Sequence, residues 1–290
     1  MTIAPVIAAL LPDHQHYVEP YCGSLTVLLA KPLSRMETVN DINQDIVTFW
    51  RVLRDQPGDL SRVCSLTPHA RAEHASAYEP APAGDDLEAA RRTFVKLTQG
   101  RAGQLCRTGW RNYVKPTGSS TSMPGYLAAY HARIGPAAKR LARVSLECMP
   151  ALDLIARYGV DPAVLLYVDP PYLGSTRRLG RGPYDRYVHD MPDEADHREL
   201  AKALHAARAA VVLSGYPSDL YDRELYPGWD RHTIPASTRQ GSSSKAERGV
   251  DFASGGIPAG TWANRTEVVW SNRPLAVQQY IEGLDLSEAT

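Results

Sequence analysis

The sequence predicts an α/β fold: a largely parallel sheet covered by helices on both faces and interrupted by a mainly helical insertion. Three observations lead there. Short apolar runs, Val164 to Val168 and Ala210 to Ser214, lack the alternation of a half-solvated strand and suit strands buried on both faces. Segments of helical periodicity lie between such runs. A long stretch in the first half reads as helix after helix, with no strand pattern.

In chain order, Ile3 to Leu11 reads as an apolar helix stopped by Pro12. His16 to Glu19 is a short strand, Pro20 to Ser24 a turn, and Leu25 to Ala30 the start of a helix. Glu37 to Asp41 is a second strand that ends in an acid, and Ile46 to Arg54 is an amphipathic helix. Together they form a β-turn-α-β unit of about 40 residues. From Gln56 to Arg143 the pattern is helical, with Pro/Gly breaks at 80–84 and 115–125. Val144 to Glu147 is a strand, Ala151 to Tyr158 a helix, and Val164 to Val168 a buried strand. An Arg/Gly-rich loop (173–189), a helix from Glu194 to Arg208 and a strand from Ala210 to Ser214 follow. A Gly/Ser-rich loop (237–260), expected to be mobile, then leads to a strand from Thr266 to Ser271.

Composition narrows the class. With 290 residues, 43% apolar, the chain can bury a sizeable core without disulfides. Its longest apolar runs fall far short of the ~20 residues of a membrane span. The start has no basic, leader-like segment, and the expected location is the cytoplasm. Cys22, Cys64, Cys106 and Cys148 recur every 42 residues, but their flanks differ and no C-x₂-C pair exists. They read as free thiols, with no metal site expected. His197 and His205 lie on a predicted surface helix and are expected to be solvated or capping.

The net charge of zero conceals a segregation. From Arg91 to Ser145 there are 11 Lys/Arg and no Asp or Glu; the other 235 residues hold 21 basic and 32 acidic groups. Trp110, Tyr113, Tyr126 and Tyr130 are interleaved with the cations, and Lys115 to Gly125 is a polar, turn-rich run. Guanidinium and ammonium groups neutralise phosphates, and rings stack on bases, so this block is expected to face nucleic acid. Arg107, Arg111, Tyr113 and Lys115 are the expected contacts, with Arg177 and Arg178 from the later loop. The plainer alternative is a solvated helical face.

Two motifs carry chemistry. Asp169-Pro-Pro-Tyr172 follows a buried strand, at the kind of sheet end where open α/β folds place ligands. A carboxylate, a carbonyl held by proline geometry and a ring are what an exocyclic amine on an aromatic base needs: two acceptors for its hydrogens and a platform. Val18-Glu-Pro-Tyr-Cys-Gly-Ser24 occupies the first strand-to-helix turn with one glycine, short of a dinucleotide fingerprint. Beyond it, Asp41 in Asn40-Asp-Ile-Asn43 is placed to accept hydrogen bonds from a ribose, or to cap the next helix.

Tyr17-Val-Glu-Pro-Tyr-Cys-Gly-Ser24, Val39-Asn-Asp-Ile-Asn43 and Tyr167-Val-Asp-Pro-Pro-Tyr172, in that order, resemble the D12 class of DNA adenine-N6 methyltransferases, the Dam-like family. Ser214-Gly-Tyr216 and Arg265-Thr-Glu-Val-Val-Trp-Ser-Asn272 resemble that family's later strands. The resemblance implies a Rossmann-like methyltransferase domain (1–55 and 144–290) carrying an inserted target-recognition domain (56–143). It implies S-adenosylmethionine as methyl donor and a flipped-out adenine of double-stranded DNA as substrate. The implied cofactor residues are Glu19, Pro20, Tyr21, Cys22, Gly23, Asp41, Ile42 and Asp169; the implied catalytic residues are Asp169, Pro170, Pro171 and Tyr172. A monomer is expected, with a cognate restriction endonuclease as a candidate partner. The alternatives are methylation of another amine, in RNA or on protein glutamine, and a DNA-binding homologue with weakened catalysis.

Two departures from the family pattern stand out. Members carry a Gly-Gly-Lys segment before the first helix, whereas this chain opens at Met1-Thr-Ile-Ala-Pro5; about 10 to 20 further residues upstream are expected from helix length and family spacing. In the family an acid that reads the cofactor's adenine follows the third strand, whereas Cys148-Met-Pro150 stands there in this chain.

Overall fold

The computed structural model describes residues 3–101, 103–112, 122–176, 189–238 and 263–276, with the side chains of 235–238 and 263–265 also outside the description. Seven strands form one sheet: β1 (His16–Glu19), β2 (Met36–Asn40), β3 (Val144–Glu147), β4 (Val164–Val168), β5 (Ala210–Gly215), β6 (Asp230–Thr238) and β7 (Ala263–Ser271). Their order is β3-β2-β1-β4-β5-β7-β6. The first five run parallel, and β7 is antiparallel to both β5 and β6. This is the expected Rossmann-like sheet. The chain moves outward from β1 to β3 and then returns beside β1 as β4, so the switch point lies between β1 and β4. Crevices at the carboxyl ends of such strands bind ligands.

Side-chain alternation explains why the strands read as unbroken apolar runs. Tyr17, Leu165, Tyr167 and Val212 enter the core on one face; Val18, Leu166, Val168 and Val211 enter the core on the other. Both faces are dry, so both phases of the two-residue period are apolar. Helices α1 (Ala4–Leu10), α2 (Thr26–Ala30) and α3 (Gln44–Asp55) lie on the first face; α8 (Ala151–Tyr158) and α9 (Glu194–Ala206) cover the second.

Between β2 and β3 the chain adds α4 (Pro57–Leu66), α5 (Arg71–Ser76), α6 (Asp86–Gln99) and α7 (Met123–Leu141). Leu60, Cys64, Ala90, Phe94, Ile134, Ala138 and Leu141 share one core with Leu28, Phe49 and Leu53. A buried ion cluster ties α7 to the sheet. Glu37 of β2 accepts from Lys31 Nζ at 2.6 Å and from Arg140 Nη2 of α7 at 2.8 Å. Burial alone would raise the Glu37 carboxyl, but the hydrogen bonds from Arg140 and Lys31 outweigh it and hold it below the usual range.

Several expectations need correction. The basic block is less free than its composition suggests. Arg91 pairs with Glu88 and Glu73, Arg92 with Glu88, Lys96 with Asp45 and Arg140 with Glu37. Those acids lie outside the Arg91–Ser145 window, and helical spacing or tertiary packing brings them back to it. His197 is fully buried, not solvent-facing. It shares the inward face of α9 with Leu200, Ala201 and Leu204, bonding the Tyr221 hydroxyl at 2.7 Å and the Met191 carbonyl at 2.9 Å. His205 does cap, at 2.6 Å from the Leu225 carbonyl that ends a π-helical turn (Leu220–Leu225). That turn and β6 had no clear pattern in the sequence. Among the described strands β6 pairs only with β7, and such an edge tolerates its charged residues and Pro235. Most of the Gly/Ser-rich loop lies outside the described residues.

Candidate active site

A cavity of about 1140 Å³ opens at the carboxyl ends of β1, β2 and β4, with the insertion as its opposite wall. Its floor is the first turn. Glu19 ends β1, and the chain bends through Pro20 to Ser24 under hydrogen bonds from several sides. Cys22 N donates to the Asn40 carbonyl at 2.8 Å, Gly23 N to Asp41 Oδ2 at 3.0 Å, and Trp50 Nε1 to the Gly23 carbonyl at 2.8 Å. Gly23 sits at φ +42°, where a glycine is unstrained; Leu25, at φ +54° and fully buried, is the one non-glycine residue with positive φ among the described residues. Leu25 holds that conformation because its side chain is locked in the core, at a cost of order 1–2 kcal/mol.

Asp41 neither caps α3 nor stands unattached. Asn43 is the cap, accepting from Asp45 N at 3.0 Å. The Asp41 carboxylate accepts Gly23 N with one oxygen and Asn43 N, at 2.9 Å, with the other. Burial raises its pKa, and the two amides oppose the rise. A carboxylate oxygen has room for a second donor, so this lock leaves acceptor capacity facing the cavity. Asn40 forms a closed pair with the backbone of Met149: Met149 N donates to Oδ1 at 2.9 Å and Nδ2 donates to the Met149 carbonyl at 3.0 Å. Nδ2 also reaches the Pro20 carbonyl at 2.9 Å. This residue, unassigned in the sequence, fixes the loops after β1 and β3 together. The loop after β3 contributes Pro150, Ala151 and Leu152 to the lining, and Cys148 Sγ lies 3.9 Å from the Ile42 carbonyl.

Asp169 follows β4 at the switch point. Burial raises its carboxyl to about 6, while hydrogen bonding by the Ser214 hydroxyl, and by the Tyr172 hydroxyl when its proton turns this way, pulls it down. Ser214 is in turn 3.0 Å from the Tyr167 hydroxyl. Pro170, Pro171 and Tyr172 line the cavity beside Asp169. The Tyr172 ring packs 4.4 Å from that of Tyr216, and its hydroxyl donates to Glu267 Oε1 at 3.3 Å. Glu19, 3% exposed, accepts from Tyr17 at 2.9 Å. Burial pushes its carboxyl far up, and the nearby charges of Asp169 and Asp41 add to that. Burial likewise raises the Tyr21 phenol and the Cys22 thiol.

The lining is rich in acids: Asp41, Asp169, Asp190, Asp196 and Glu199, with Glu19 held towards its neutral form by burial, against Arg133 among the described Lys and Arg side chains. Such a site favours a cationic ligand group. The structure thus gathers Glu19 to Gly23, Asp41, Ile42 and Asp169 to Tyr172 around one space. Of the expected nucleic-acid contacts, Arg107 is exposed over the Tyr78 ring at 5.6 Å, and Arg111 lies over Tyr126 at 4.7 Å. Tyr113, Lys115, Arg177 and Arg178 lie outside the described residues. Among the described residues no group of acids, His and Cys could hold a metal, and no helix is long and apolar enough to cross a membrane.

The sequence profile of the D12 class N6 adenine-specific DNA methyltransferases matches residues 1–99, which hold the first turn and Asp41. Residues 1–99 are thus similar to D12-class sequence. DNA adenine methylases of Salmonella typhi and of Salmonella typhimurium strain LT2 are each 24% identical over 247 residues, covering 83% of this chain and 86% of their own. Among solved structures, a SAM-dependent methyltransferase from Agrobacterium tumefaciens aligns with 93% of this chain and 60% of its own at 11% identity and a TM-score of 0.35. A precorrin 8w decarboxylase from Methanobacterium thermoautotrophicum aligns with 93% and 88% at 9% identity and 0.36. Both structural likenesses are too distant to add to the strand order. The D12-class match covers the first turn and Asp41, and the strand order is that of a Rossmann-like sheet.

Proposed function

We propose that the chain methylates adenine N6 at a specific sequence in duplex DNA, with S-adenosylmethionine as donor. The observation that carries this reading is the placement of Asp169 and Pro170 at the switch point, on the same cavity as the D12-class first turn and Asp41. The residues present fit the cofactor. The cavity is large enough for a nucleoside and an amino-acid arm together, Asp41 retains acceptor capacity for a ribose, and the surplus of carboxylates suits a sulfonium. When bound, S-adenosylmethionine supplies a methyl group on a positively charged sulfur.

The chain's own residues do the rest. The adenine amine is a weak nucleophile because its lone pair is delocalised into the ring. The Asp169 carboxylate and the Pro170 carbonyl accept its two hydrogens, favour a pyramidal nitrogen and stabilise the charge that develops there. Once methylated, N6 has one proton to lose, and Asp169 would be the adjacent acceptor. Holding nitrogen and methyl in line supplies an orientation contribution of several kcal/mol. Tyr172 offers the base a stacking face. The base must leave the duplex to reach this depth.

In this reading segment 56–143 is the target-recognition module. Arg107 and Arg111, with Tyr113, Lys115, Arg177 and Arg178, contact the DNA. The test is to express the chain in cells without adenine methylation and sequence their DNA for N6-methyladenine and its context. Methylation at one motif, absent with Asp169→Ala, is expected. Methylation confined to RNA or to protein glutamine would overturn the DNA assignment.

A further inference from the structure

The Tyr172 hydroxyl lies between two carboxylates. It donates to Glu267 Oε1 at 3.3 Å, and it is also a hydrogen-bond partner of Asp169. A phenol has one proton to give. Pointed at Glu267, that proton leaves an acceptor site on Asp169 open; pointed at Asp169, it competes with the substrate amine for the carboxylate's acceptor sites. Glu267 is 4% exposed. It sits on β7 one residue before Val268, which pairs with Gly215, so the β5–β7 ladder brings it to the end of β5 where Ser214 already donates to Asp169. The Tyr172 ring is braced against Tyr216, so its hydroxyl can exchange between the two acids without the ring leaving its place.

We propose that Glu267 is a positioning residue for the reaction at Asp169: it keeps the Tyr172 proton on its own side, so that Asp169 meets the amine with one more acceptor site open. The inference rests on the adenine-N6 reading above. Other groups also interact electrostatically with Asp169: Glu19 from β1, Tyr167 from β4 and Tyr221 from the π-helical turn through their charges, and Ser214 from β5 through its hydroxyl. Glu267 acts through the Tyr172 hydroxyl, and a paired substitution isolates that route.

The experiment compares the wild-type chain with Glu267→Ala, Glu267→Gln, Tyr172→Phe and the two pairings with Tyr172→Phe. It records single-turnover methyl transfer to duplex DNA, KM for DNA, the acid limb of the pH–rate profile and Tm. Glu267→Ala is expected to slow transfer about tenfold with KM for DNA within about threefold, a transition-state effect. The released phenol proton then turns to Asp169 and stabilises its carboxylate, so the acid limb moves down by about half a pH unit or more. Glu267→Gln, whose amide oxygen still accepts, recovers most of the rate. Tyr172→Phe paired with Glu267→Ala is no slower than Tyr172→Phe alone. An unmoved acid limb in a folded Glu267→Ala protein overturns the proposal, as does equal slowing by Glu267→Ala with or without the Tyr172 hydroxyl. Should Glu267→Ala not fold, the Gln pair decides: a Glu267→Gln effect of the same size in the Tyr172→Phe background overturns it. A wild-type chain that methylates no duplex adenine overturns the parent reading and this inference together. Wild-type activity that Asp169→Ala abolishes upholds the parent reading whatever Glu267 does.

Discussion

Asn40 and the Met149 backbone close a two-hydrogen-bond ring, with Met149 N donating to Oδ1 at 2.9 Å and Nδ2 donating to the Met149 carbonyl at 3.0 Å. The same amide holds the Pro20 carbonyl. One side chain on β2 therefore sets the spacing of the loops on either side of it, and those loops form two walls of the proposed cofactor pocket.

Asn40→Ala should loosen both loops. It leaves buried backbone groups without partners, at about 1–3 kcal/mol of stability. Cofactor affinity is expected to fall about tenfold or more, the equivalent of 1.4 kcal/mol. Calorimetric titration of S-adenosylmethionine and a thermal melt check this; unchanged affinity with lowered Tm would restrict Asn40 to a structural part.

Asp169→Asn should separate stability from activity. Burial raises the Asp169 carboxyl to about 6, so the folded state binds its proton more tightly than the unfolded chain does. The sign follows: this group favours folding below its unfolded pKa of about 3.9, and that advantage is lost as pH rises through about 6. At pH 7.5 the charge is a burden of order 1–3 kcal/mol. The Asn protein is expected to melt higher than wild type at pH 7.5 and level with it near pH 4, while transfer falls by about 10²-fold or more. A lower Tm at pH 7.5 would refute the electrostatic account.

Glu37→Ala should cost more than most substitutions. It leaves Lys31 and Arg140 facing one another without their shared carboxylate. Breaking such a buried cluster typically costs about 3–5 kcal/mol. Chemical denaturation of the two proteins measures this directly; a loss under 1 kcal/mol would show that solvent reaches the cluster.

The salt dependence of DNA binding should tell free cations from paired ones. Arg107→Ala with Arg111→Ala is expected to reduce the log–log slope by up to about 1.8, near 0.9 for each phosphate contact. Arg91→Ala, whose guanidinium is held by Glu88 and Glu73, should leave the slope unchanged. Equal effects from both changes would assign the DNA face to the whole block.

Much of the architecture was legible in the residues alone. The runs at Val164 to Val168 and Ala210 to Ser214 announce dry strands because both phases of a two-residue period are apolar. The first turn, Asp41 and Asp169-Pro-Pro-Tyr172 stood out because each is a local cluster of chemistry at a strand end. What adjacency in sequence could not show is how far-apart residues meet. Glu73, Glu88, Asp45 and Glu37 neutralise four cations of the basic block from positions outside it. His197 turns inward because α9 lies on the sheet with that face down. Asn40 reaches Met149 across 109 residues, and Glu267 reaches Tyr172 across 95. Periodicity and turn chemistry are written in neighbouring residues, so the sequence determined the elements and the motif. Hydrogen bonds and charges are satisfied by whatever the sheet order brings within about 3 Å. Which acids are neutralised, which phenol proton is shared and which loops are tied together were therefore decided only by the tertiary structure.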